Sequence, residues 1–444
     1  MRRRALFAGG TAALALGLLV TPTTAAAEPA PDPTADAATQ AVGARSRLVV
    51  ADAAAGSVHV YAIPSHRRLV TLTGRTFADH AGLLPLRDGR VLFVDEANRE
   101  LVALQVSGTP RVVGTAPLPE GEVTHLAADD SGHHAVVAAA GEHDHEEAGA
   151  QEEEEGHGTL TVVDLRTYRP STVEIHTGHP GVVISGDTVV HRNDADNRFE
   201  TFPITAIIAG AGGHLEPTST SPIGAHGHGE GHTGGLVLGA TDAGLDVARV
   251  ESGRLSPVRT IAWPATGRAY YVRVSADGRR LATYSSDESS ADWPTWRHEA
   301  FLVNPVTGRS TTAPLGNGFL FRHGLSDRFA GYALQQPDRD QVSFVNVRPG
   351  SAGYGTVAST VTLPKLPGGP VPGTSPWGTQ LRRIALEPTG ALAYVTGGGT
   401  GKISVISPDL GRVVDTITTP TSLDGGGAVT VVTPGRDSVD KVGR

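Results

Sequence analysis

A repeating strand pattern constrains the fold of this chain more than any other feature. From Leu48 onward one unit recurs, with an apolar first strand, a β-branched second strand and two further strands separated by turns. Asp-Gly or a related pair joins the first two strands, as at Asp88-Gly89 and Asp277-Gly278. First strands begin near residues 80, 125, 179, 232, 271, 323 and 382, a spacing of 39 to 59 residues. Four short strands at this period are typical of a β-propeller blade.

The two ends of the chain supply an eighth blade. LVVAD, SVHVYAIP and RLVTLTG provide three strands near the start, and GAVTVVTP around Val429 provides the first strand of the same blade. Joining the termini in one sheet removes the open edge of the ring. The sequence therefore predicts an all-β protein with one β-propeller domain over residues 48–434, with eight blades and seven as the alternative. An ordinary β-sandwich would need fewer strands.

The N-terminal sequence has the features of an export signal. Three arginines at positions 2–4 precede an apolar run over residues 5–20 and three alanines at 25–27. These features predict a cleaved signal peptide over residues 1–27 and an exported protein, periplasmic or extracellular, without a membrane anchor. A flexible Pro/Ala-rich tail is expected over residues 28–47, and a C-terminal tail over 435–444.

The charge and the absence of cysteine restrict the partners and the metal ligands. The formal net charge is −9, and loss of the three signal-peptide arginines would make it −12. A negative protein lacks the basic face that nucleic acid binding requires. Because the chain has no Cys, a metal site must use His, Asp, Glu or water. We expect a monomer that has neither disulfides nor thiolate ligands.

Histidines recur where the first strands begin, and they are the candidate metal ligands: His80, His125, His179, His232 and His323. Equivalent points of a repeat lie at equivalent points of a ring, so these imidazoles are expected near the mouth of the central channel. A subset is expected to bind one zinc ion, and the neighbouring blades favour His80, His125 and His179. Asp79 or Glu122 could ligate the metal or orient an imidazole. The alternative is that these residues are polar groups of the channel rim.

Two inserted segments add further histidines. Residues 141–158 contain eight carboxylates, no Lys or Arg, and His143, His145 and His157, so this segment is interpreted as an acidic loop that attracts divalent cations. Residues 224–235 form a Gly-rich loop with His226, His228 and His232 in H-x-H-x-x-x-H spacing. Simple solvated loops are the alternative for both.

The chain resembles the AztD-type zinc metallochaperones, which are exported β-propeller proteins that work beside a zinc ABC transporter. The resemblance rests on His80 in HAGLLPL, His125 in HLAAD, His179 in HPGVV and His323 in HGLSD, together with the segments EHDHEE and GAHGHGEGH. It implies a protein that binds Zn²⁺ outside the cytoplasm. It also implies that the zinc passes by ligand exchange to the solute-binding protein of the transporter.

Two other functions are compatible with the sequence. Propellers can support metal-dependent hydrolase or lyase chemistry at the channel mouth, and a non-catalytic scaffold of the cell envelope would also fit. The chain lacks the G-x-S-x-G, H-E-x-x-H and Walker motifs, and we predict that it is not an enzyme. Copper and nickel also accept imidazole ligands, so the choice of zinc rests on the resemblance.

Overall fold

The strands of the protein close into an eight-bladed β-propeller. The computed structural model describes residues 46–140, 157–176, 181–225, 229–264, 267, 269, 271–437 and 441–443. Within these ranges the strands form eight four-stranded antiparallel sheets, and in each sheet the strands are hydrogen-bonded in the order predicted from the repeat. The prediction of an all-β propeller with eight blades is confirmed, and the seven-bladed alternative is excluded.

The first four blades occupy residues 47–222, except that the inner strand of blade 1 comes from the far end of the chain. Blade 1 contains β1 (Arg47–Asp52), β2 (Ser57–Ala62), β3 (Arg68–Thr73) and β32 (Ala428–Val432). Blade 2 contains β4 (Leu84–Pro85), β5 (Arg90–Asp95), β6 (Glu100–Gln105) and β7 (Arg111–Pro117). Blade 3 contains β8 (Glu122–Ala128), β9 (His134–Ala140), β10 (His157–Asp164) and β11 (Arg169–His176). Blade 4 contains β12 (Gly181–Ser185), β13 (Thr188–Asn193), β14 (Arg198–Pro203) and β15 (Ser219–Pro222), with helix α1 (Ile204–Ala209) before β15.

The last four blades follow the same plan. Blade 5 contains β16 (Glu230–Thr233), β17 (Leu236–Ala240), β18 (Gly244–Glu251) and β19 (Arg254–Ala262). Blade 6 contains β20 (Arg273–Val274), β21 (Leu281–Asp287), β22 (Arg297–Val303) and β23 (Ser310–Asn317). Blade 7 contains β24 (Phe319–Leu325), β25 (Phe329–Gln335), β26 (Arg339–Asn346) and β27 (Val357–Pro364). Blade 8 contains β28 (Ile384–Leu386), β29 (Ala393–Gly397), β30 (Lys402–Ser407) and β31 (Arg412–Thr418). Short 3₁₀ turns lie at Trp293–Thr295 and Asp424–Gly426.

Hydrophobic packing between neighbouring blades holds the ring together. The inner strands β4, β8, β12, β16, β20, β24, β28 and β32 each contact the inner strand of the next blade, and β32 contacts β4. The second strands are buried on both faces, so β13 and β25 are buried along their whole length. The outermost strands are largely exposed or alternate between buried and exposed residues, as in β27 and β31. The core is therefore a series of apolar layers between blades rather than one central cluster.

The ring is closed by strands from opposite ends of the chain. β1 pairs with β32 in antiparallel register from Arg47–Val432 to Ala51–Ala428. The Ser46 and Thr433 hydroxyls lie 2.8 Å apart at the end of this pairing, and the Leu423 backbone N–H donates to the buried Asp52 carboxylate at 2.8 Å. The closure predicted from GAVTVVTP is thus present.

A C-terminal segment lies against the inner strand of blade 3. Residues 441–443 fall within the stretch interpreted from the sequence as a tail. The Ala128 N–H donates to the Lys441 carbonyl at 2.9 Å, and the Gly443 N–H donates to the Leu126 carbonyl at 2.7 Å. Val442 forms a bridge with Ala127 and is 5% exposed. Because β8 is an inner strand, this segment lines the central channel.

The described part of the chain contains no helix with the length and hydropathy of a membrane span.

Candidate metal centre

Three of the predicted histidines lie on inner strands, but not as their first residues. His125 lies in the middle of β8, His323 in the middle of β24 and His232 at the third position of β16. His80 precedes β4. The strands β8, β16 and β24 begin earlier than the sequence suggested because the preceding residues already pair, as Glu122 does with Ala140. The stretch 224–235, interpreted as a Gly/His loop, also contains strand β16.

Five of the predicted ligands lie outside the described residues: His143, His145, His179, His226 and His228.

A buried His–carboxylate contact joins the inner strands of blades 3 and 5. Nε2 of His125 lies 3.6 Å from Oε2 of Glu230, and the side chains are 11% and 4% exposed. Oε1 of Glu230 lies 3.5 Å from Nη1 of Arg192, which comes from β13 of the blade between them. Gly181, the first residue of β12, makes this approach possible, because a Cβ at that position would overlap the Glu230 carboxylate. The sequence analysis missed Glu230 because it lies in a stretch that looked like a loop.

A second His–carboxylate pair joins the same two blades closer to solvent. Nε2 of His232 lies 3.5 Å from Oδ1 of Asp130, which follows β8. The His232 side chain is 6% exposed and that of Asp130 is 73% exposed. The hydrogen bond with His232 lowers the pKa of Asp130 below its usual value, and the positive charge of Lys441 acts in the same direction. Asp130 is therefore ionised at neutral pH.

These groups line a cavity of about 370 Å³ in the channel wall. Glu230 and His232 come from β16, Asp130 from the end of β8, and Lys441 from the C-terminal segment. The carboxylates of Asp130 and Glu230 and the imidazole of His232 thus face one space, together with the carboxylates of Asp277 and Asp437, and His125 contacts Glu230. Imidazole nitrogen and carboxylate oxygen are ligands that Zn²⁺ accepts in exchangeable sites. The other residues of the wall are Arg87, Gly231, Thr233, Gly234, Val272, Val274, Ser275, Ala276, Asp277, Gly278, Asp437 and Val442.

His80 lies near the N-terminal ends of the inner strands. Its Nδ1 is 3.4 Å from Oε1 of Glu122, and both side chains are substantially exposed. Glu122 is thus the carboxylate in contact with His80. Asp79 instead pairs with Nη2 of Arg383 at 2.7 Å. Burial acts to raise the pKa of Asp79, but the attraction of Arg383 and Arg322 outweighs it and the pKa is lowered.

His323 lies in the core between blades 6 and 7. Its ring stacks on Tyr332 with centroids 5.4 Å apart, and its Nε2 donates to the Ala282 carbonyl at 2.9 Å. The pairing register of β24 shifts between Leu320 and His323, and such an irregularity turns a side chain away from its regular direction. His323 is therefore not brought together with His80, His125 or His232.

A cluster that the sequence analysis did not single out lies on the outside of the ring. Among the described residues, the metal-ligating atoms of three side chains come within 4.8 Å of one another only at His176, His214 and Glu216. His176 comes from blade 3 and the other two residues from blade 4, so no local spacing links His176 to them. The one sequence signal is the pair His214 and Glu216 in H-x-E spacing.

Three solved structures are similar to this fold. Apo AztD from Citrobacter koseri matches with a TM-score of 0.60 and 12% identity, over 87% of this chain and 98% of that chain. A second crystal structure of Citrobacter koseri AztD matches with a TM-score of 0.62 and 12% identity, over 87% of this chain and 97% of that chain. The dihydro-heme d1 dehydrogenase NirN in complex with DHE matches with a TM-score of 0.58 and 14% identity, over 88% of this chain and 75% of that chain. At such identities the likeness shows the fold alone. No protein-family model and no curated protein matches the chain.

Proposed function

We propose that this protein is an extracytoplasmic zinc metallochaperone that carries Zn²⁺ in the channel wall of blades 3–5. The observation that carries the proposal is the pair of His–carboxylate contacts, His125–Glu230 and His232–Asp130, between two inner strands. Three of these four residues line one cavity. Zinc is the cargo, and the protein is not an enzyme in this proposal.

The exposure of the four residues supports transfer by ligand exchange. Asp130 is open to solvent, whereas Glu230 and His125 are buried. An incoming ligand of an acceptor protein can therefore replace Asp130 first, while the inner ligands still hold the metal. Sites without thiolates release zinc more readily than closed structural sites do. The exposed carboxylate would thus be the first ligand to leave.

The remaining predicted ligands enter the proposal by their position in the sequence. His179 is two residues before Gly181, and His226 and His228 precede Glu230 by four and two residues. We include these three as candidate ligands of the same zinc ion. His143 and His145 belong to the acidic segment that would concentrate cations, and His80 with Glu122 would form a polar entrance.

The similarity to AztD-type chaperones determines the proposed partner. The sequence motifs and the propeller fold both agree with that family. We therefore propose export through the signal peptide, function as a monomer, and delivery of Zn²⁺ to the solute-binding protein of a zinc ABC transporter.

The test is a zinc titration of the metal-stripped mature protein against a competing chelator. The double variant His125→Ala/His232→Ala should lose at least about tenfold in affinity, because two of the proposed ligands are removed. Gly181→Ala provides a second variant that removes no ligand. Its methyl group would displace the Glu230 carboxylate, so it should also weaken binding.

The matched control is His134→Ala, which removes a histidine that contacts Asp129 at 3.0 Å and does not line the cavity. Its affinity should equal that of the unmodified protein. Zinc-loaded protein should then transfer its metal to a purified zinc solute-binding protein. Unchanged affinity in the double variant would refute the channel site, and absence of transfer would refute the chaperone function.

A further inference from the structure

Three ligand-capable side chains meet at the outer edge of blades 3 and 4. His176 is the last residue of β11, the outermost strand of blade 3, while His214 and Glu216 lie between α1 and β15 of blade 4. All three are exposed. The cluster therefore lies on the outside of the ring, whereas the proposed zinc site lies in the channel wall.

Backbone hydrogen bonds join the two segments that carry this cluster, β11 and the segment around His214. Glu174 of β11 forms a parallel bridge with His214. The Glu174 N–H donates to the Gly213 carbonyl at 3.0 Å, and the Leu215 N–H donates to the Glu174 carbonyl at 2.9 Å. Leu215 also packs against the hydrophobic core. The backbone pairing thus brings His176 close to the segment that carries His214 and Glu216 without requiring any contact between the three side chains.

The ligand atoms have separations that suit a tetrahedral metal. Oε1 of Glu216 lies 3.1 Å from Nε2 of His214 and 3.5 Å from Nε2 of His176. The two imidazole centroids are 4.7 Å apart with an interplanar angle of 68°. In a tetrahedral site with metal–ligand bonds near 2.0–2.1 Å, ligand atoms are about 3.3 Å apart. A small inward shift of these groups would place an ion between them.

A fourth ligand is available on the neighbouring strand. His157, the first residue of β10, pairs directly with His176, and the register between the two strands has no irregularity. Directly paired residues of antiparallel strands point to the same face of the sheet, with Cβ atoms about 4.5–5.5 Å apart. His157 is also exposed. The ligand atoms of His157 are not within 4.8 Å of all three others, so its imidazole must turn about its side-chain bonds to reach the same ion as His176.

The local charge favours a cation at this place. Residues 141–156 contain eight carboxylates and no Lys or Arg, and they connect directly to His157. Such a density of negative charge raises the local concentration of divalent cations. These residues are not part of the site itself.

We propose that His157, His176, His214 and Glu216 form a second metal site, for a divalent transition-metal ion of the Zn²⁺ class. Three imidazoles and one carboxylate complete a four-coordinate shell without thiolate. The site is exposed and exchangeable, and it is independent of the channel site. It does not rest on the proposed chaperone function.

The experiment uses the full mature chain, with Zn²⁺ alone as the probe. The readouts are zinc stoichiometry and the protection of individual histidines from diethylpyrocarbonate, mapped by mass spectrometry. Zn²⁺ should protect His176 and His214, and the double variant His176→Ala/His214→Ala should bind one zinc ion fewer. His66→Ala is the matched control, because His66 also contacts an exposed carboxylate, Asp415, at 2.6 Å, and is remote in sequence from the cluster.

The outcomes separate this site from the channel site. If His125→Ala/His232→Ala loses one zinc ion and His176→Ala/His214→Ala loses another, both sites exist. If only the latter variant loses zinc, the peripheral site stands and the channel proposal fails. Unchanged stoichiometry in His176→Ala/His214→Ala, with His176 and His214 modified at the same rate in saturating zinc, would overturn the peripheral site. Circular dichroism of each variant confirms that the fold is intact.

Discussion

At the scale of single residues, two chemical groups can be distinguished among the described histidines. His125, His232, His80 and His176 contact carboxylates. His298 and His323 instead donate to backbone carbonyls in the core. A carboxylate contact can orient a metal-bound imidazole, whereas burial disfavours the charged form of an imidazole and lowers the pKa of His298. The second group should affect stability rather than metal binding.

His298 makes the stability of the fold dependent on pH. Burial lowers its pKa, and the hydrogen bond from Nε2 to the Gly318 carbonyl at 2.8 Å only partly opposes this effect. Since the unfolded pKa is about 6.5, the unfolded chain binds the proton first as the pH falls. The stabilisation is fully present above about pH 6.5 and is lost as the pH falls through the folded pKa.

We predict that His298→Gln, which retains an N–H donor and does not titrate, will flatten this dependence. Between about pH 6.5 and pH 5, the unmodified protein should lose up to about 1.4 kcal/mol per pH unit more unfolding free energy than the variant. Urea denaturation at several pH values measures the difference. His133→Gln, at an exposed turn, should follow the unmodified protein. Identical slopes for His298→Gln and the unmodified protein would contradict the prediction.

At the scale of elements, the C-terminal segment brings a positive charge to the channel cavity. Lys441 lines the cavity together with Asp130, Glu230 and His232. Its Nζ lies 3.7 Å from Oδ1 of Asp437, which also lines the cavity. A fixed ammonium group repels a divalent cation bound nearby. If zinc binds at the proposed site, Lys441 would therefore weaken the binding and favour release.

We predict that Lys441→Met will tighten zinc binding in the channel. The gain should be about fivefold, which corresponds to roughly 1 kcal/mol of removed repulsion in a partly solvated site. The chelator competition described above measures it. Lys402→Met, on the exposed start of β30 in blade 8, is the control and should leave the affinity unchanged. A weaker or equal affinity in Lys441→Met would show that the ammonium does not act on the site.

The elements also show how far the sequence could predict this structure. The inner strands begin at residues 84, 122, 181, 230, 273, 319 and 384, within four residues of the predicted starts, because apolar strands and Asp-Gly turns are local signals. The directions of the side chains, by contrast, depend on pairing with other strands and not on the local sequence. Register shifts before His125 and His323 depend on pairing with the second strand.

Dependence on contacts between blades also explains why some residues of the candidate sites were not predicted from the sequence. Glu230 acquires its role from Gly181 and His125 in other blades. His176 and His214 meet only because blades 3 and 4 are neighbours. A sequence without aligned relatives predicts the ring but not which side chains face each other across it.

At the scale of the whole molecule, ring closure depends on β32. This strand buries Ala428, Val429, Val431 and Val432, each at most 9% exposed. Burial of three valines stabilises by roughly 5 kcal/mol or more, which is comparable to the total stability of many domains. Without it, β1 would have an unpaired inner edge.

We predict that a chain ended after Gly427 will not unfold in one cooperative transition, because blade 1 loses its inner strand. A chain ended after Pro434 is the matched control, since it keeps β32 and lacks only the C-terminal segment. Urea denaturation followed in parallel by tryptophan fluorescence and circular dichroism should give coincident curves for the control and separate curves for the shorter chain. Coincident curves for both would show that the ring does not need this strand.

The C-terminal segment has one more consequence, which concerns symmetry. Eight blades around an axis give eight nearly equivalent directions in which a partner could dock on the end of the ring. Among the described residues, 441–443 pair with β8 alone. This pairing adds a backbone segment to blade 3 alone, so it marks one direction around the axis. A protein that docked over the channel and contacted residues 441–443 would therefore do so in a single rotational position.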